Sequence, residues 1–390
     1  MKKTSFKNIG INIILLGIVS FLNDASSEMI MPILPLFIAS LGGTGIIIGL
    51  IGGIRDSVSS LLKVICGYWS DKTGKRKIFV FSGYMASALF KLLLSFSTIW
   101  QHVLIFSGLE RVGKGIRTAP RDAIIAESMP EKRGKGFGIH RALDTAGAIL
   151  GSVFVFLLIW FRALDFNIII LIAACIAFIS FIPLLFVREI KREKQNISFK
   201  MSLKTLPRSL KIFLMISAIF SLGNFSYMFF ILRSQALFSK ELAATGPILL
   251  YILYNIFYAS FAIPFGSLSD KIGRKRLLIA GYLLFSITTA GFALFFSLTA
   301  FIILFVLYGI VYAIIDGNQR ALVSDLSPEN LRSTSLGVYH TLIGLVSLPS
   351  SLTAGLIWEI INPSTTFIFG CVVSLTAAVM LLVYSFNRTN

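Results

Sequence analysis

Long apolar segments, separated by short polar or charged turns, follow one another along almost the whole chain. Many of them reach the length of about 18 residues at which an apolar run predicts a transmembrane helix. They lack the alternation of apolar and polar residues that is typical of membrane barrels. Cutting the chain at its charged, glycine and proline turns therefore predicts an all-helical membrane protein with about twelve spans. The predicted spans are 9–39, 45–69, 78–97, 102–126, 135–160, 166–187, 211–238, 245–268, 277–297, 299–324, 334–359 and 365–386.

Composition and charge placement support this interpretation. The chain is 56% hydrophobic and 14% charged, whereas soluble domains average about 25% charged residues. Its formal net charge of +18 would suit a nucleic-acid partner, but the cations collect at every second turn and the turns at 41–45 and 97–101 carry none. The positive-inside rule then predicts a multi-pass protein of a bacterial inner membrane with both termini in the cytoplasm. We expect a monomer in the lipid bilayer and no nucleic-acid partner.

A charged segment is repeated within the chain. GYWSDKTGKRK at 67–77 returns as GSLSDKIGRKR at 266–276, which is 199 residues further on (266 − 67). Arg121 and Arg320 have the same separation. The repeat predicts two six-helix bundles, 1–187 and 211–390, joined by a basic cytoplasmic linker at 188–210 and arranged around a central cavity.

The repeated segments resemble the cytoplasmic loop motif of the major facilitator superfamily, G-x-x-x-D-[RK]-x-G-[RK]-[RK]. Pro32–Pro35 is similar to the P-x-x-P that ends helix 1 in the drug:proton antiporters of that family. Arg111–Gly115 is similar to their R-x-x-Q-G motif, with Lys114 in place of the glutamine. Gly147 and Gly151 keep the glycines of their helix 5 motif without its proline, and small residues at this spacing also predict close helix packing. The resemblance implies a twelve-helix carrier of a small molecule, and it specifies neither the substrate nor the direction of transport.

The acidic residues of the repeated loops predict a cytoplasmic gate that is closed by ion pairs. The predicted pairs are Asp71 with Arg121, Asp270 with Arg320, Glu127 with Arg133 and Asp325 with Arg332. The alternative, that the basic residues only anchor the topology, leaves the acidic residues and the repeat unexplained. The predicted gate comprises Gly67, Asp71, Gly74, Arg76, Arg121, Glu127, Arg133, Gly266, Asp270, Gly273, Arg274, Arg320, Asp325 and Arg332.

A second set of charged residues lies near the middle of the predicted spans. A charge at this depth costs at least about 2.5–3.5 kcal/mol, so these groups must pair or face water. Burial disfavours the charged form of a carboxylate, so Asp24 or Glu28 can bind a proton on one side and release it on the other. The alternatives are structural salt bridges between the spans and, for His140, a packing role. The residues predicted to couple protons are Asp24, Glu28, Lys114, Arg117, His140 and Asp144.

The remaining polar residues of the spans indicate a substrate class. The candidate substrate-binding residues are Arg55, Arg141, Arg233, Asn224, Tyr227, Asn255, Tyr258, Tyr312, Asp316 and Gln319. Cationic groups opposite tyrosines and amides favour an anionic solute, such as a carboxylate or a metal chelate, carried by proton-coupled alternating access. A multidrug:proton exporter and a non-transporting sensor are the alternatives.

Enzymatic and ATP-driven functions are not predicted. Gly108–Lys114 fits the first seven positions of a P-loop, but Gly115 follows where the pattern needs serine or threonine. The sequence contains no H-E-x-x-H, no G-x-S-x-G and no cysteine–histidine cluster. We expect no catalytic residues, no cofactor and no metal.

Overall fold

A computed structural model describes residues 6–128, 133–189, 206–328 and 331–384. These residues form fifteen helices, most of them long and apolar. The helices are α1 (Phe6–Ile30), α2 (Leu34–Ser40), α3 (Gly45–Thr73), α4 (Arg76–Leu94), α5 (Trp100–Ser128), α6 (Arg133–Arg162), α7 (Phe166–Ile179), α8 (Phe181–Phe186), α9 (Arg208–Gly223), α10 (Met228–Gln235), α11 (Thr245–Ile272), α12 (Arg274–Leu294), α13 (Leu298–Asp325), α14 (Arg332–Ile360) and α15 (Pro363–Val383).

Each predicted span corresponds to one helix or to two consecutive helices. The first, sixth and seventh spans are interrupted, and they form α1 with α2, α7 with α8, and α9 with α10. Eleven spans in the described residues are long and apolar enough to cross a membrane. The one remaining span, α5, is not among these eleven, because charged residues interrupt its apolar sequence. The predicted all-helical membrane fold is confirmed.

The interruptions of two spans have identifiable causes. Helix α1 ends at Ile30 just before Pro32, which has no N–H with which to continue the helix. Between α9 and α10, residues 224–227 leave the helical path. The amide of Ser226 donates to Ser351 Oγ at 3.1 Å, and Ser350 Oγ donates to the carbonyl of Leu222 at 2.9 Å. Side chains of α14 therefore satisfy backbone groups that lipid would leave without partners.

The chain divides into two compact units. The first contains Met1–Phe37 and Val58–Phe199, and the second contains Ile38–Ser57 and Lys200–Asn390. The boundary near residue 200 lies within the predicted linker at 188–210. The second unit also includes α2 and the beginning of α3, which the sequence division assigned to the first bundle.

In the first unit, glycines bring α1 close to α6. A Cβ added to Gly147 would overlap the backbone oxygen of Phe21, and one added to Gly151 would overlap that of Ala25. Small residues at this spacing allow membrane helices to approach closely. The two glycines predicted to permit close packing do so here, and they bring the segments around Asp24 and Asp144 together.

In the second unit, the first half of α3 packs against α14 along a line of small residues. An added Cβ at Gly49 would overlap the carbonyl oxygen of Ser351, and one at Gly355 would lie 2.5 Å from the oxygen of Gly45. The carboxylate of Glu359 accepts a hydrogen bond from the Gly45 amide at 2.8 Å. This contact explains why residues 38–57 belong to the second unit.

The repeated loops turn at equivalent glycines. Gly74 has a φ of 68° and Gly273 a φ of 94°. Residues with a Cβ rarely adopt such angles. The glycines of the repeated motif are therefore required by the turn that connects α3 with α4 and α11 with α12.

Candidate functional site

Two carboxyl groups of the first unit, those of Asp24 on α1 and Asp144 on α6, lie close enough to interact with each other. Asp144 accepts hydrogen bonds from Ser20 Oγ at 2.7 Å and from the guanidinium of Arg141 at 3.2 Å. Asp24 receives a weaker contact, 3.5 Å long, from the Asn23 amide. Two neighbouring carboxylates repel each other when both are ionised. Of the two, Asp144 has the shorter hydrogen bonds in the described residues.

Arg117 lies on α5 beside this carboxyl pair. Only 2% of it is exposed, and its guanidinium carbon lies 4.3 Å from the centre of the Tyr84 ring on α4. Arg117 Nε and Nη1 and the Tyr84 hydroxyl have no hydrogen-bond partner within the described part of the chain. Lys114, one turn earlier, is half-buried, and the charge of Asp24 acts on it as well. Two predicted cations therefore lie beside the predicted proton carrier.

Lys91 is a buried cation that the sequence analysis did not identify. It lies in the apolar run of α4, and 1% of it is exposed. Its ammonium donates to Ser26 Oγ and Ser27 Oγ, both at 2.9 Å, and to the carbonyl of Asn23 at 3.4 Å. The sequence signal for this buried cation was a lysine inside an apolar segment, because an ammonium at that depth needs partners.

A buried ion pair, formed by Glu110 and Arg111, lies on α5, the helix that also carries Lys114 and Arg117. Glu110 Oε2 lies 3.2 Å from Arg111 Nε, and its other oxygen accepts a hydrogen bond from Ser87 Oγ at 3.0 Å. Arg111 Nη2 also contacts the sulfur of Met31 at 2.9 Å. The hydrogen bond of Ser87 joins α4 to α5, whereas the ion pair of Glu110 with Arg111 lies within α5.

The other two residues predicted to couple protons lie close to this group. His140 on α6 is buried, and its Nε2 has no hydrogen-bond partner in the described residues. No hydrogen bond joins His140 to Asp144 among those described, although both lie on α6. Glu28 is half-buried one turn after Asp24 on α1.

The predicted gate pairs of Asp71 with Arg121 and of Asp270 with Arg320 are wrong in this structure. Arg121 donates to Asp122 at 2.9 Å and to Ser20 Oγ at 3.2 Å. Its guanidinium therefore reaches toward Asp144 through Ser20. Arg320 donates to Asp316 at 2.6 Å, one turn away on α13. In both cases a carboxylate on the same helix is within easier reach than the carboxylate of the loop.

The loop carboxylates instead pair with the arginines of their own motif. Arg76 lies 2.6 Å from Asp71 and 2.6 Å from Glu127 at the end of α5. The second unit repeats this arrangement around Arg274. Arg274 lies 3.3 Å from Asp270 and 3.1 Å from Asp325 at the end of α13. The side chain of Arg133 lies outside the described residues, so its pairing with Glu127 stays a prediction, as does that of Asp325 with Arg332.

The second unit contains a cluster of tyrosines between α11 and α13. Tyr312 donates to Asn224 Oδ1 at 2.9 Å, in the interruption between α9 and α10. Tyr258 donates to Asp316 at 3.0 Å. Asp316 and Arg320 are 43% and 46% exposed within a span, so this ion pair must face water rather than lipid. The rings of Tyr258 and Tyr312 lie 6.4 Å apart, which brings together four predicted substrate residues: Asn224, Tyr258, Tyr312 and Asp316.

The remaining candidates of the second unit occupy other positions. Gln319 is buried between the hydroxyls of Tyr282 and Tyr339, each at 2.7 Å. Arg233 donates to the carbonyl of Phe292 at 3.2 Å and to Ser364 Oγ at 2.9 Å. Both have structural partners, and their role in binding stays a prediction.

Three more candidates belong to the same unit. The rings of Tyr227 and Tyr251 lie 5.8 Å apart and are tilted by 42°. Asn255 Nδ2 is buried and has no partner among the described atoms. Arg55 is also buried there, in the part of α3 that belongs to the second unit.

The family model described as Major Facilitator Superfamily matches residues 16–253 and 214–389. The chain is 57% identical over 375 residues to an uncharacterized MFS-type transporter of Methanocaldococcus jannaschii, covering 95% of this chain and 94% of that protein. It is 27% identical over 288 residues to the multidrug resistance protein MdtG of Rahnella sp., covering 69% and 68%.

The fold resembles a solved transporter as well. The crystal structure of the nucleoside transporter NupG superposes with a TM-score of 0.79 at 15% identity, covering 96% of this chain and 100% of the other. At this identity the similarity concerns the fold alone. Together with the family match, it shows that this chain belongs to the major facilitator superfamily of membrane transporters, which are not enzymes.

Proposed function

We infer that the chain is a secondary transporter that couples protons to the movement of a small organic anion by alternating access. The observation that carries this proposal is the contact between the carboxyl groups of Asp24 and Asp144. A carboxyl pair that holds one proton between transmembrane helices can load and release it. The protonmotive force can then drive a solute whose binding depends on that proton.

The charges near this pair favour an anionic solute. Lys114 and Arg117 act electrostatically on Asp24, and the charge of Asp24 acts in turn on Lys91 and Arg121. Arg111 acts on both Lys91 and Lys114. The partner carboxylates described for this set are those of Glu110 and Asp122. With one proton on the Asp24–Asp144 pair, positive charge is in excess. A carboxylate, a phosphate or an anionic metal chelate matches this charge.

The ion pairs of the repeated loops support a role in gating. Arg76 and Arg274 each connect a loop carboxylate to the end of a helix that also carries membrane-embedded charge, α5 or α13. Pairs of this kind can break and re-form between two states. We place both loops and both termini in the cytoplasm because the basic turns coincide with them. A green fluorescent protein fused after Asn390 should fluoresce if the carboxyl terminus is cytoplasmic, and a fused alkaline phosphatase should be inactive.

A multidrug:proton exporter is the second candidate. The similarity to a multidrug resistance protein over 69% of this chain favours it. A lipophilic cation would have to bind away from the cations of the first unit, for example near the tyrosines of the second. A non-transporting sensor with this fold predicts ligand binding without proton flux.

The test uses purified protein in liposomes that contain a pH-sensitive dye. Citrate and inorganic phosphate serve as anionic probes, and tetraphenylphosphonium and ethidium serve as cationic probes. We expect an anion gradient to produce proton flux that is absent from protein-free liposomes and from Asp24→Asn. Proton flux driven only by the cationic probes would select the exporter. Binding without any flux would select the sensor.

A further inference from the structure

In the described part of the second unit, six of the eleven tyrosines of the chain contact one another. We call them the tyrosine cluster, and its members are Tyr227, Tyr251, Tyr254, Tyr258, Tyr308 and Tyr312. The ring of Tyr254 on α11 lies at the centre of the cluster. Its centroid is 5.7 Å from that of Tyr251 and 6.2 Å from that of Tyr258 on the same helix. On α13, the ring of Tyr308 lies 4.9 Å away and that of Tyr312 lies 5.8 Å away.

The cluster has a buried side and an open side. Helices α11 and α13 approach closely at Gly309, where an added Cβ would lie 2.5 Å from the carbonyl oxygen of Tyr254. Behind this crossing, Tyr308 is 2% exposed and stacks on Phe230 at 4.2 Å, within the phenylalanine core of the unit. The other side is formed by Tyr254, Tyr258 and Tyr312, which are half-buried. Part of each of these three side chains therefore remains accessible.

The open side of the cluster lies beside water. The hydroxyl of Tyr258 donates to Asp316 at 3.0 Å, and Asp316 pairs with Arg320 at 2.6 Å. An ion pair that is as exposed as this one within a span must face water rather than lipid. The carboxylate and the guanidinium also neutralise each other, so the pair gives this surface no strong preference for a cation or for an anion.

A broken helix adjoins the same surface, and this observation is independent of the ring contacts. The hydroxyl of Tyr312 donates to Asn224 Oδ1 at 2.9 Å, and Asn224 begins the interruption between α9 and α10. Tyr227 lies in that interruption as well. Membrane carriers commonly place interrupted helices at their substrate sites, because non-helical backbone within the membrane must be buried in protein or line a cavity.

Packing alone does not explain why these positions are tyrosines. The chain contains 35 phenylalanines, and they supply most of the buried ring contacts where α9, α10, α12 and α15 meet. Examples of these buried rings are Phe220, Phe230, Phe285, Phe292 and Phe367. A buried hydroxyl without a partner costs free energy, so a position that serves packing alone favours phenylalanine. Tyrosines beside water instead present flat apolar faces with polar edges, which suit the binding of another ring.

We propose that the open side of the tyrosine cluster binds an aromatic ring of the transported solute, with Tyr254 and Tyr258 selecting for that ring. The inference rests on the proposed function in one respect, that the solute is an organic molecule, and it adds the chemical class of the uncharged part. Aromatic rings pair in offset-stacked or edge-to-face geometry. A saturated ring has neither the flat face nor the π-system that this geometry uses.

The first experiment compares the binding of benzenesulfonate and cyclohexanesulfonate by calorimetry. The purified protein is held in lipid nanodiscs, and empty nanodiscs provide the blank. Both probes carry the same permanent charge, and they differ only in the ring. The saturated ring has the larger apolar surface, so the hydrophobic effect alone would favour cyclohexanesulfonate. We expect benzenesulfonate to bind about 3- to 10-fold more tightly, as one or two aromatic contacts would produce.

Variants of two tyrosines locate the site. Tyr254→Leu removes the central ring and should make the two affinities nearly equal, whereas Tyr254→Phe keeps the ring and should keep the preference. Tyr258→Leu removes a ring with fewer neighbours, and it tests the site even if Tyr254→Leu fails to fold. Tyr68→Leu replaces a half-buried tyrosine of the first unit and serves as the matched control. The ratio of the two affinities should be unchanged in this control.

Equal affinities in the wild type, or tighter binding of cyclohexanesulfonate, would overturn the proposal. Failure of both probes to bind would overturn it as well, as would a preference that persists in every leucine variant of Tyr254 and Tyr258 that folds. If citrate or phosphate drives proton flux that Asp24→Asn abolishes while the two sulfonates bind equally, the proposed function stands and this site is wrong. A ring preference that the leucine variants lose, without proton flux from any probe, would support the site and contradict proton coupling.

Discussion

The guanidinium of Arg76 lies 2.6 Å from the carboxylate of Glu127, which connects the first repeated loop to the end of α5. Arg274 and Asp325 repeat the relationship in the second unit at 3.1 Å. The two pairs occupy matching positions of the repeat, yet they differ in burial. Arg76 and Glu127 are 10% and 17% exposed, whereas Arg274 and Asp325 are 26% and 52% exposed. Water screens the second pair more strongly than the first.

This difference predicts unequal effects of the same substitution. Arg76→Ala should lower the free energy of unfolding by about 2 kcal/mol, since it removes charge-assisted hydrogen bonds from a mostly buried site. Arg274→Ala should cost less than about 1 kcal/mol, as exposed pairs do. Denaturant titration of both variants in one detergent measures the difference. Equal losses would show that burial does not determine the strength of these pairs.

Two glycines of the second repeated motif, one in the turn and one inside α11, give a second comparison. Gly273 has a positive φ, so Gly273→Ala should cost about 1–2 kcal/mol in backbone strain. Gly266 lies inside α11, where an added Cβ would meet nothing within 4 Å. Gly266→Ala should therefore be neutral or slightly stabilising, because alanine favours helix. Melting temperatures of the two variants test this, and a similar loss in both would contradict the assigned turn geometry.

Much of the architecture could be predicted from the sequence. The length of an apolar run indicates a membrane helix, and the spacing of glycines indicates where two helices pack closely. The twelve spans and the close packing at Gly147 and Gly151 are examples. The partner of each charge could not be predicted. The repeat suggested Arg121 for Asp71, but ion pairing depends on reach, and Arg76 of the same loop is nearer. The buried position of Lys91 was not predicted, because a single lysine hardly changes the apolar character of the run that contains it.

The interruption between α9 and α10 was not predicted for a different reason. Residues 224–227, Asn-Phe-Ser-Tyr, contain neither proline nor glycine. The break depends on two hydrogen bonds, one donated by Ser350 and one accepted by Ser351, on α14 more than 120 residues away along the chain. Contacts of this kind belong to tertiary structure, and no local pattern specifies them.

The contact between α3 and α14 supplies a third prediction. An added Cβ at Gly49 would overlap the carbonyl oxygen of Ser351, so Gly49→Ala must push the two helices apart. Overpacking of this kind costs about 1–3 kcal/mol. Gly317→Ala on α13 is the matched control, because nothing lies within 4 Å of its added Cβ. Unfolding measurements that rank the control as more damaging than Gly49→Ala would contradict the contact.

Lys91 provides the last prediction, because one ammonium joins three segments of the first unit. It donates to Ser26 and Ser27 on α1, and Ser26 Oγ in turn donates to the carbonyl of Ala173 on α7 at 2.6 Å. Lys91→Met keeps the length of the side chain but removes every donor. The buried acceptors would then lose a charged partner, which costs about 1.5–3 kcal/mol for a hydrogen bond of this kind.

Lys72→Met is the control for that substitution. Lys72 is exposed, 6.0 Å from the ring of Tyr68, and substitutions at such positions usually change stability by less than about 0.5 kcal/mol. Denaturant unfolding of both variants should therefore separate them clearly. A Lys91→Met protein as stable as the wild type would mean that burying this ammonium costs as much as its hydrogen bonds return. In that case a role in charge balance near Asp24, rather than in stability, would explain its position.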